Sequence, residues 1–202
     1  MNPPRVVIIA SGGANIASLT FALERLGVDS AVSAEPERIM AASHVILPGV
    51  GAAADAMARL RATGIDRLIP TLRQPVLGIC LGMQLLFDSS EEGDTACLGV
   101  IPGRVTRLHA APGRPVPHIG WNTLEIRTGS PLLAGIRGGD YAYFVHGYAA
   151  DLGPCTSAST AYGAAFSACV QRGNFHGAQF HPERSAAAGA RLLRNFVALR
   201  CD

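Results

Sequence analysis

The sequence contains no lysine: its 17 basic residues are all arginines, set against 15 acidic residues, so the formal net charge is only +2. Charged residues make up 16% of the chain, and no run of basic residues interrupts it. Proteins that bind nucleic acid or an anionic membrane usually carry a concentrated positive charge. We therefore expect neither nucleic acid nor a membrane as a partner.

Long apolar runs are also missing. The apolar stretch nearest the N-terminus, RVVIIA, holds only a handful of apolar residues before glycines follow. The apolar region of a signal peptide takes about 7–15 residues, and a membrane-spanning helix takes about 20. The sequence shows neither pattern, which predicts a cytoplasmic protein.

The cysteines form no recognisable framework. There are five of them, an odd number, and they are widely scattered without a C-x-x-C pair: Cys80, Cys97, Cys155, Cys169 and Cys201. In a cytoplasmic chain this favours free thiols over disulfides or a zinc site, so we predict no metal. Four of the thiols fit ordinary small apolar positions, whereas Cys80 lies between glycines.

Apolar residues account for 49% of the chain, and their spacing predicts an α/β fold. In the first half, short apolar strands at residues 6–10, 44–49 and 76–80 alternate with helical patterns at 16–27 and 52–64, and LGMQLLF begins another helix after Cys80. In the second half, strands joined by Gly/Pro turns precede a closing helix. We predict a mostly parallel central sheet flanked by helices, with an antiparallel β extension, in a single domain over residues 1–202.

The segment GICLG places Cys80 where a strand turns sharply into a helix. Such a turn exposes the side chain at its tip, and flanking glycines relieve the crowding that it causes. A helix N-terminus also stabilises a thiolate, because its free N–H groups favour negative charge. The same pentapeptide fits a buried cysteine at a tight turn, so the nucleophile hypothesis needs a base elsewhere in the chain.

The segment GAQFHPERS supplies that base. On an extended segment, side chains two residues apart point to the same side, so we expect the side chains of His181 and Glu183 to lie on one side of the chain. A carboxylate beside a histidine holds the tautomer that accepts a proton from a thiol. A lone strand histidine is more often structural, but the carboxylate and the distant thiol favour catalysis here. His176 should face the opposite side, which weakens a paired-histidine metal site.

The segment LPGVGA, residues 47–52, ends the strand that precedes the Cys80 strand. Its glycines permit a turn that directs backbone N–H groups toward a developing oxyanion, as the N–H of Leu81 also would. Taken alone, the segment fits an ordinary loop. Together with Cys80, His181 and Glu183 it predicts acyl transfer to a thiol, followed by hydrolysis of the thioester.

These motifs, in this order, resemble the class I (triad-type) glutamine amidotransferases, and within them the glutaminase subunits of imidazole glycerol phosphate synthase. The resemblance covers nearly the whole chain and rests on GGANIASLTFALERLG, LPGVGA, GICLGMQLLF, SEEG, PHIGWN, YFVHGY and GAQFHPERS. It implies a flavodoxin-like fold and hydrolysis of L-glutamine to glutamate and ammonia without a cofactor. It also implies a heterodimer with a (β/α)₈-barrel cyclase subunit, which uses the ammonia to form imidazole glycerol phosphate in histidine biosynthesis.

The resemblance assigns roles to the residues that match its motifs. Cys80 matches the nucleophile, His181 the base and Glu183 the third member of the triad. The oxyanion hole would be formed by the backbone N–H groups of Val50 and Leu81. The glutamine would be held by Gly51, Gln84 and Glu92, and the partner face would include Asn15, Trp121 and Arg184. Two of these have strong alternatives, since acidic stretches such as the one around Glu92 are usually solvated loops and tryptophan is more often buried.

The chain departs from the family pattern at a few positions. The first turn commonly reads Asp-Tyr-Gly-Met-Gly-Asn, whereas here it reads ASGGAN, so Ala10 and Ser11 lack the usual side chains. Gly147 stands where serine or threonine is common, and Arg184 stands where lysine is common. We expect these differences to lie near the partner or the substrate and not within the triad.

Four alternatives stay open at this point, and one of them is a free-standing thiol hydrolase of another type, which would not explain PHIGWN. A glutaminase subunit of the anthranilate synthase type would be expected to carry histidine at Met83. One of the pyridoxal phosphate synthase type would have a shorter CAG elbow in place of CLG. A non-catalytic scaffold of the same fold would bind the cyclase without turnover.

Overall fold

A computed structural model describes residues 6–10 and 16–200 of the chain. In chain order its strands are β1 Val6–Ile9, β2 Ser30–Ser33, β3 His44–Gly49, β4 Val76–Cys80, β5 Phe87–Ser90, β6 Thr95–Ala96, β7 Ile101–Arg107, β8 His118–Thr123, β9 Glu125–Ile126, β10 Tyr141–His146, β11 Tyr148–Ala150, β12 Thr156–Tyr162, β13 Ala164–Arg172 and β14 Phe175–Ala178. Its α-helices are α1 Ile16–Glu24, α2 Pro36–Ala41, α3 Ala53–Thr63, α4 Ile65–Leu68, α5 Leu81–Gln84 and α6 Ala186–Ala198. Among the described residues, no helix has the length and apolar character needed to cross a membrane.

The largest sheet has eight strands in the order β2-β1-β3-β4-β14-β13-β12-β9. The first five strands in this order, β2, β1, β3, β4 and β14, run parallel to one another. The remaining three continue the same sheet in antiparallel pairs. This confirms the predicted mostly parallel sheet with an antiparallel extension. Two smaller sheets complete the structure, one of β10 and β8 and one in the order β11-β7-β5-β6.

The core lies on both faces of the large sheet, because successive residues of its central strands point in opposite directions. On β1, Val6 and Ile8 join one apolar cluster, whereas Val7 and Ile9 join the other. The first cluster also holds buried residues of α1, α6 and β10, and the second holds those of α2, α3 and the four-stranded sheet. Strands buried on both faces explain why the sequence shows continuous apolar runs here instead of alternation.

Most elements of the first half end where the sequence predicts. The strand over residues 44–49 is confirmed as β3, and β4 ends at Cys80. Helix α3 stops at Gly64, whose φ of +71° is left-handed, and its N–H closes the helix by donating to the carbonyls of Leu60 and Arg61.

The helix expected from LGMQLLF is much shorter than its apolar pattern suggests. Helix α5 is a single turn, Leu81–Gln84, and the chain enters strand β5 at Phe87. The carbonyl of Leu86 accepts from the N–H groups of Val100 and Ile101 instead of continuing a helix. Because Leu85 and Leu86 are buried on all sides, their apolar character carried no helical periodicity that could have fixed the length.

Candidate active site

Cys80 is held in a strained turn between β4 and α5. Its backbone has φ 54° and ψ −114°, a conformation that residues with a side chain rarely adopt. The turn packs so tightly on β3 that a Cβ built on Gly82 would lie 1.8 Å from the Leu47 carbonyl oxygen. The predicted need for glycine beside the cysteine is therefore confirmed, although its cause is the close approach of a neighbouring strand. Backbone strain of this kind is typical of functional sites.

The base and its orienting carboxylate lie in a turn, not on an extended segment. Residues Pro182–Arg184 form one turn of 3₁₀-helix, so the expected extended geometry was wrong. Proline at the first position starts this turn, and the Arg184 N–H closes it by donating to the His181 carbonyl. The turn still brings Nδ1 of His181 to 2.9 Å from Oε1 of Glu183. The two side chains are therefore paired as predicted.

Neighbouring elements fix this turn. The Ser185 hydroxyl donates to the His181 carbonyl at 2.7 Å and accepts from the Tyr143 N–H at 2.9 Å. The His181 N–H donates to the Tyr143 carbonyl at 2.9 Å. Helix α6 also packs closely here, since a Cβ on Gly189 would lie 1.9 Å from the Pro182 carbonyl oxygen. The position of the imidazole is thus set by β10 and α6.

The electrostatics of His181 match an ion pair with the cysteine. Burial by itself would lower the pKa of His181, but hydrogen bonds to Cys80 and Glu183, together with the negative charges of those groups, outweigh burial and raise the pKa to about 10. Because Nδ1 is hydrogen-bonded to Glu183, Nε2 is the ring nitrogen left to interact with the Cys80 sulfur. A protonated imidazole in this position favours negative charge on a neighbouring sulfur, the form in which a cysteine acts as a nucleophile.

The glycine-rich loop after β3 lies beside the cysteine. Gly49 is opposite Cys80 in the parallel pairing of β3 with β4. The next residues, Val50 and Gly51, line the same cavity as Cys80 and Leu81. Gly51 has a φ of +88°, so the loop turns there in a way that favours glycine. All four residues predicted for this part of the site are therefore close together.

Gln84 and Glu92 also line this cavity, and both are tied into the surrounding structure. The Gln84 amide nitrogen donates to the Tyr148 carbonyl at 2.7 Å and to the Gln179 side-chain oxygen at 2.9 Å. Oε2 of Glu92 accepts from the N–H of Ala53, the first residue of α3, at 2.8 Å. Glu92 is thus not a freely solvated acid, because it links its loop to the helix that follows the glycine-rich loop.

The residues predicted for a partner face are partly described. Trp121 is 51% exposed, and its ring lies 5.7 Å from the ring of Tyr143. The guanidinium carbon of Arg184 lies 5.0 Å from the centroid of the same Tyr143 ring, and Arg184 lines the cavity. Asn15 and Ser11 lie outside the described residues. Ala10 is exposed at the end of β1, and Gly147 lines the cavity.

Sequence reasoning missed the groups behind the cysteine. The Cys80 thiol lies 3.6 Å from the Val145 carbonyl oxygen, and the Gln179 amide nitrogen lies 3.8 Å from Sγ. Nδ1 of His146 lies 2.8 Å from the Tyr148 carbonyl oxygen, and its Nε2 lies 3.0 Å from Nδ1 of His118. The signals were present, since YFVHGY contains Val145 and His146 and GAQFH contains Gln179, but nothing local connects these segments with a thiol 65 or more positions away.

The two histidines of this cluster are neutral. A carbonyl oxygen only accepts, so Nδ1 of His146 carries the proton and its Nε2 accepts from the Nδ1–H of His118. Burial, only partly offset by the hydrogen bond to the Tyr148 carbonyl and aided by the positive charges of His118 and His181, lowers the pKa of His146 to about 4. Burial also lowers the pKa of His118. They therefore serve as fixed hydrogen-bonding groups at neutral pH.

The cavity that joins these parts has a volume of about 310 Å³. Its lining includes Val50, Gly51, Cys80, Leu81, Gln84, Glu92, His146, His181, Glu183 and Arg184. Across the described ranges, no group of three or more His, Cys, Asp or Glu side chains is arranged to hold a metal ion. The cysteines at positions 80, 97, 155 and 169 are free thiols. Cys80, His181 and Glu183 thus open onto one cavity large enough for a small amino acid.

Solved structures share this architecture. A glutamine amidotransferase structure superimposes with a TM-score of 0.73 and 21% identity, covering 96% of this chain and 97% of that one. A glutamine amidotransferase from Thermotoga maritima superimposes with a TM-score of 0.65 and 19% identity, covering 96% and 82%. At these identities the likeness establishes the fold.

The sequence comparisons establish the family. The family model for glutamine amidotransferase class-I matches residues 7–199, so the chain belongs to that class. It is 54% identical over 192 residues to imidazole glycerol phosphate synthase subunit HisH of Xanthomonas campestris, covering 95% of this chain and 96% of the relative. The corresponding protein of Xylella fastidiosa is 53% identical with the same coverage. Within the class, the chain is a member of the HisH family.

Proposed function

We propose that this protein is the glutaminase subunit of an imidazole glycerol phosphate synthase. It hydrolyses glutamine and supplies the ammonia to a cyclase subunit in histidine biosynthesis. The observation that carries the proposal is the meeting of Cys80, His181 and Glu183 on one cavity, at the end of a parallel sheet where α/β enzymes bind ligands. Membership of the HisH family supports this subunit over the anthranilate and pyridoxal phosphate synthase alternatives. The free thiols favour the cytoplasm as its compartment.

The triad would act in two steps. The Cys80 thiolate attacks the side-chain amide carbon of glutamine, forming a C–S bond while the carbonyl electrons move to oxygen. The oxyanion collapses, the C–N bond breaks, and His181 gives the Nε2 proton to the departing ammonia. His181 then takes a proton from water, which attacks the thioester, and the C–S bond breaks to release glutamate and the thiolate. Glu183 holds the imidazole throughout through Nδ1.

The oxyanion would be held by backbone N–H groups of Val50 and Leu81. Their place in the cavity beside Cys80, on the glycine-rich loop and at the start of α5, supports this role. Gly51, Gln84 and Glu92 would hold the rest of the glutamine. Both N–H groups of the Gln84 amide donate to Tyr148 and Gln179, which leaves the amide oxygen free to accept from the α-ammonium group of the bound glutamine. Glu92 supplies negative charge for the same ammonium.

The β8–β10 ribbon offers a surface for the cyclase. One face of this two-stranded sheet is buried, through residues such as Phe144, whereas the other presents an exposed apolar row. Ile119 is 61% exposed, Tyr141 is 60% exposed, and Trp121 lies directly opposite Tyr143. An exposed apolar patch that contains tryptophan and tyrosine, with Arg184 at its edge, is typical of a protein interface. Together with Asn15, it would form the partner face of a heterodimer.

The test is glutamate release from L-glutamine by the purified chain, first alone and then with the cyclase subunit and its nucleotide substrate. We expect strong turnover with both present, and none in a Cys80→Ala variant that still folds and still binds the partner. Wild-type turnover in that variant would contradict the assignment of the nucleophile. A glutamine-analogue electrophile separates the remaining alternative, because a non-catalytic scaffold would leave Cys80 unlabelled even in the complex.

A further inference from the structure

A continuous buried chain of hydrogen bonds ends on the sulfur of Cys80. It starts at the Tyr148 carbonyl, which accepts from the Gln84 amide nitrogen at 2.7 Å. The same nitrogen donates to the Gln179 side-chain oxygen at 2.9 Å, and the Gln179 amide nitrogen lies 3.8 Å from Sγ of Cys80. Both glutamines are buried, and Gln179 is 0% exposed. Two amides thus connect a backbone carbonyl with the reacting atom.

The direction of this chain is fixed at its far end. A backbone carbonyl can only accept, so the Gln84 group facing Tyr148 must be the NH₂. The second N–H of that group points at Gln179, which therefore presents its oxygen to Gln84. The other end of the Gln179 amide, its NH₂, then faces the sulfur. The donor near Cys80 follows from the identity of the Tyr148 acceptor and not from an arbitrary choice of amide orientation.

The backbone around Gln179 holds this side chain in place. Gln179 follows β14 directly, and its N–H donates to the Ala168 carbonyl at 2.9 Å. Its neighbours Ala178 and Phe180 are fully buried. A donor in such a site cannot turn to water, so its partner must be the sulfur it faces.

The sulfur meets one group that favours the thiol and others that favour the thiolate. The Val145 carbonyl oxygen, 3.6 Å from Sγ, accepts from the S–H and would repel a negative sulfur. On the thiolate side, His181 forms a hydrogen bond with Cys80, and the Gln179 NH₂ supplies a second donor. When the S–H loses its proton, and with it the bond to Val145, the Gln179 donor is already in place, and its hydrogen bond strengthens because the sulfur is now charged.

We propose that Gln179 is a further catalytic residue, whose side-chain NH₂ stabilises the Cys80 thiolate before attack and again when the thioester C–S bond breaks. The inference rests on the proposed function, because it concerns the nucleophile of that reaction. In both of these steps the sulfur carries negative charge, whereas the sulfur of the thioester is neutral. Gln179 therefore acts selectively on the charged form of the nucleophile, with no added proton transfer.

The test measures the reactivity of Cys80 directly, without glutamine. The full chain is treated with iodoacetamide over a range of pH, and the peptide that contains Cys80 is quantified by mass spectrometry. We expect Gln179→Met, which keeps the volume and removes the donor, to raise the pH of half-maximal alkylation by about 1–2 units, as the loss of a hydrogen bond to a charged group implies. Gln179→Leu, which also removes the donor without adding charge, should raise it by a similar amount.

A matched control separates this effect from general damage. Gln171 lies on β13 of the same sheet and accepts from the Ser130 hydroxyl, away from the cysteine. Gln171→Met should leave the alkylation profile unchanged. The other titratable or charged groups on the cavity, namely Glu92, His146, Tyr148, His181, Glu183 and Arg184, are retained in every variant.

Each outcome decides the inference. A folded Gln179→Met variant with the wild-type alkylation profile would overturn it, as would an equal shift in Gln171→Met. If Gln179→Met fails to fold, Gln179→Leu, which removes the donor without adding charge, decides in its place: a profile shifted upward supports the inference, and the wild-type profile overturns it. A shifted profile in a chain that releases no glutamate with any partner would retain the Gln179 contact and reject the proposed function, so the two failures are distinguishable.

Discussion

At the scale of single residues, Gly82 decides whether Cys80 can occupy its turn. The Leu47 carbonyl oxygen lies 1.8 Å from where a Cβ on Gly82 would be, and backbone atoms of β3 cannot move aside without disturbing the centre of the large sheet. Glycine is therefore required by contact between two backbones. The left-handed region of φ is not involved, because only Cys80 in this turn has a positive φ.

We predict that Gly82→Ala lowers the free energy of unfolding by about 3 kcal/mol or more, as severe overpacking does. It should also abolish glutaminase turnover, because Cys80 and Leu81 would be displaced. Urea denaturation measures the first effect and glutamate release the second. Gly138→Ala is the matched control, since nothing lies within 4 Å of a Cβ at that position. A Gly82→Ala chain as stable as the control would show that the turn relaxes at little cost.

The pairing of His181 with Glu183 was predicted correctly from an incorrect local structure. Both an extended segment and a 3₁₀ turn allow the two side chains to meet, but only the turn was formed. The sequence contained the reason in Pro182, which starts a helical turn readily. The contacts that fix the turn are made by Ser185 with β10 and by Gly189 of α6. They cannot be inferred from the sequence of the turn itself.

At the scale of elements, Glu92 connects the β5–β6 loop to the start of α3. Helix α3 begins at Ala53 without a side-chain cap from Ala52, so its N-terminal N–H groups need another acceptor. The Glu92 carboxylate supplies one from 39 residues away, with its negative charge at the positive end of the helix. The glycine-rich loop ends at this helix, so the same contact restrains the loop.

We predict that Glu92→Ala lowers the free energy of unfolding by about 1 kcal/mol, the usual cost of losing a helix cap. It should also raise the KM for glutamine if Glu92 holds the substrate ammonium. Chemical denaturation and steady-state kinetics measure the two effects. Asp55→Ala, in the first turn of the same helix, removes a charge of the same sign without this hydrogen bond, so it should lower the stability less than Glu92→Ala and leave the KM unchanged. A change in stability with no change in KM would assign Glu92 to the helix alone.

The length of the single-turn helix α5 could not be predicted from the sequence. The segment after Cys80 is apolar at nearly every position, which fits a buried strand as well as a buried helix. Its length was decided by the second sheet, because β5 pairs with β6 and β7 immediately after the turn. Pairings such as Ser90 with Thr95 and Phe87 with Ile101 depend on later segments and leave no local trace in this one.

At the scale of the whole molecule, the β8–β10 ribbon faces two ways. Its buried face carries Phe144 and the neutral histidines His118 and His146, whereas its outer face carries Trp121 and Tyr141. Through Tyr143 the ribbon bonds to the backbone of His181 and to Ser185. A partner seated on the outer face would therefore contact the strand that holds the catalytic base.

We predict that Trp121→Ala leaves folding unchanged and weakens association with the cyclase subunit at least about tenfold, because tryptophan in an exposed apolar patch is commonly a binding hot spot. Isothermal titration calorimetry measures the affinity, and thermal unfolding checks the fold. Met40→Ala, at a residue of α2 that is 54% exposed, is the control for an apolar side chain elsewhere on the surface. An unchanged affinity in Trp121→Ala would remove this ribbon from the interface.

The sequence by itself determined the class of fold and the chemistry of the site. Apolar runs, helical spacing and glycine stops act over a few neighbouring residues, so β3, β4 and α3 could be predicted from local patterns. Cys80, His181 and Glu183 were identifiable because each lies in a short motif with its own physical reason. The tertiary structure decided what depends on contacts between distant segments: the length of α5, the Glu92 cap on α3, and the placement of Gln179 against Cys80. A hydrogen bond between residues 99 positions apart follows from the pairing of β14 with β4, which brings the ends of both strands together and cannot be read from either segment alone.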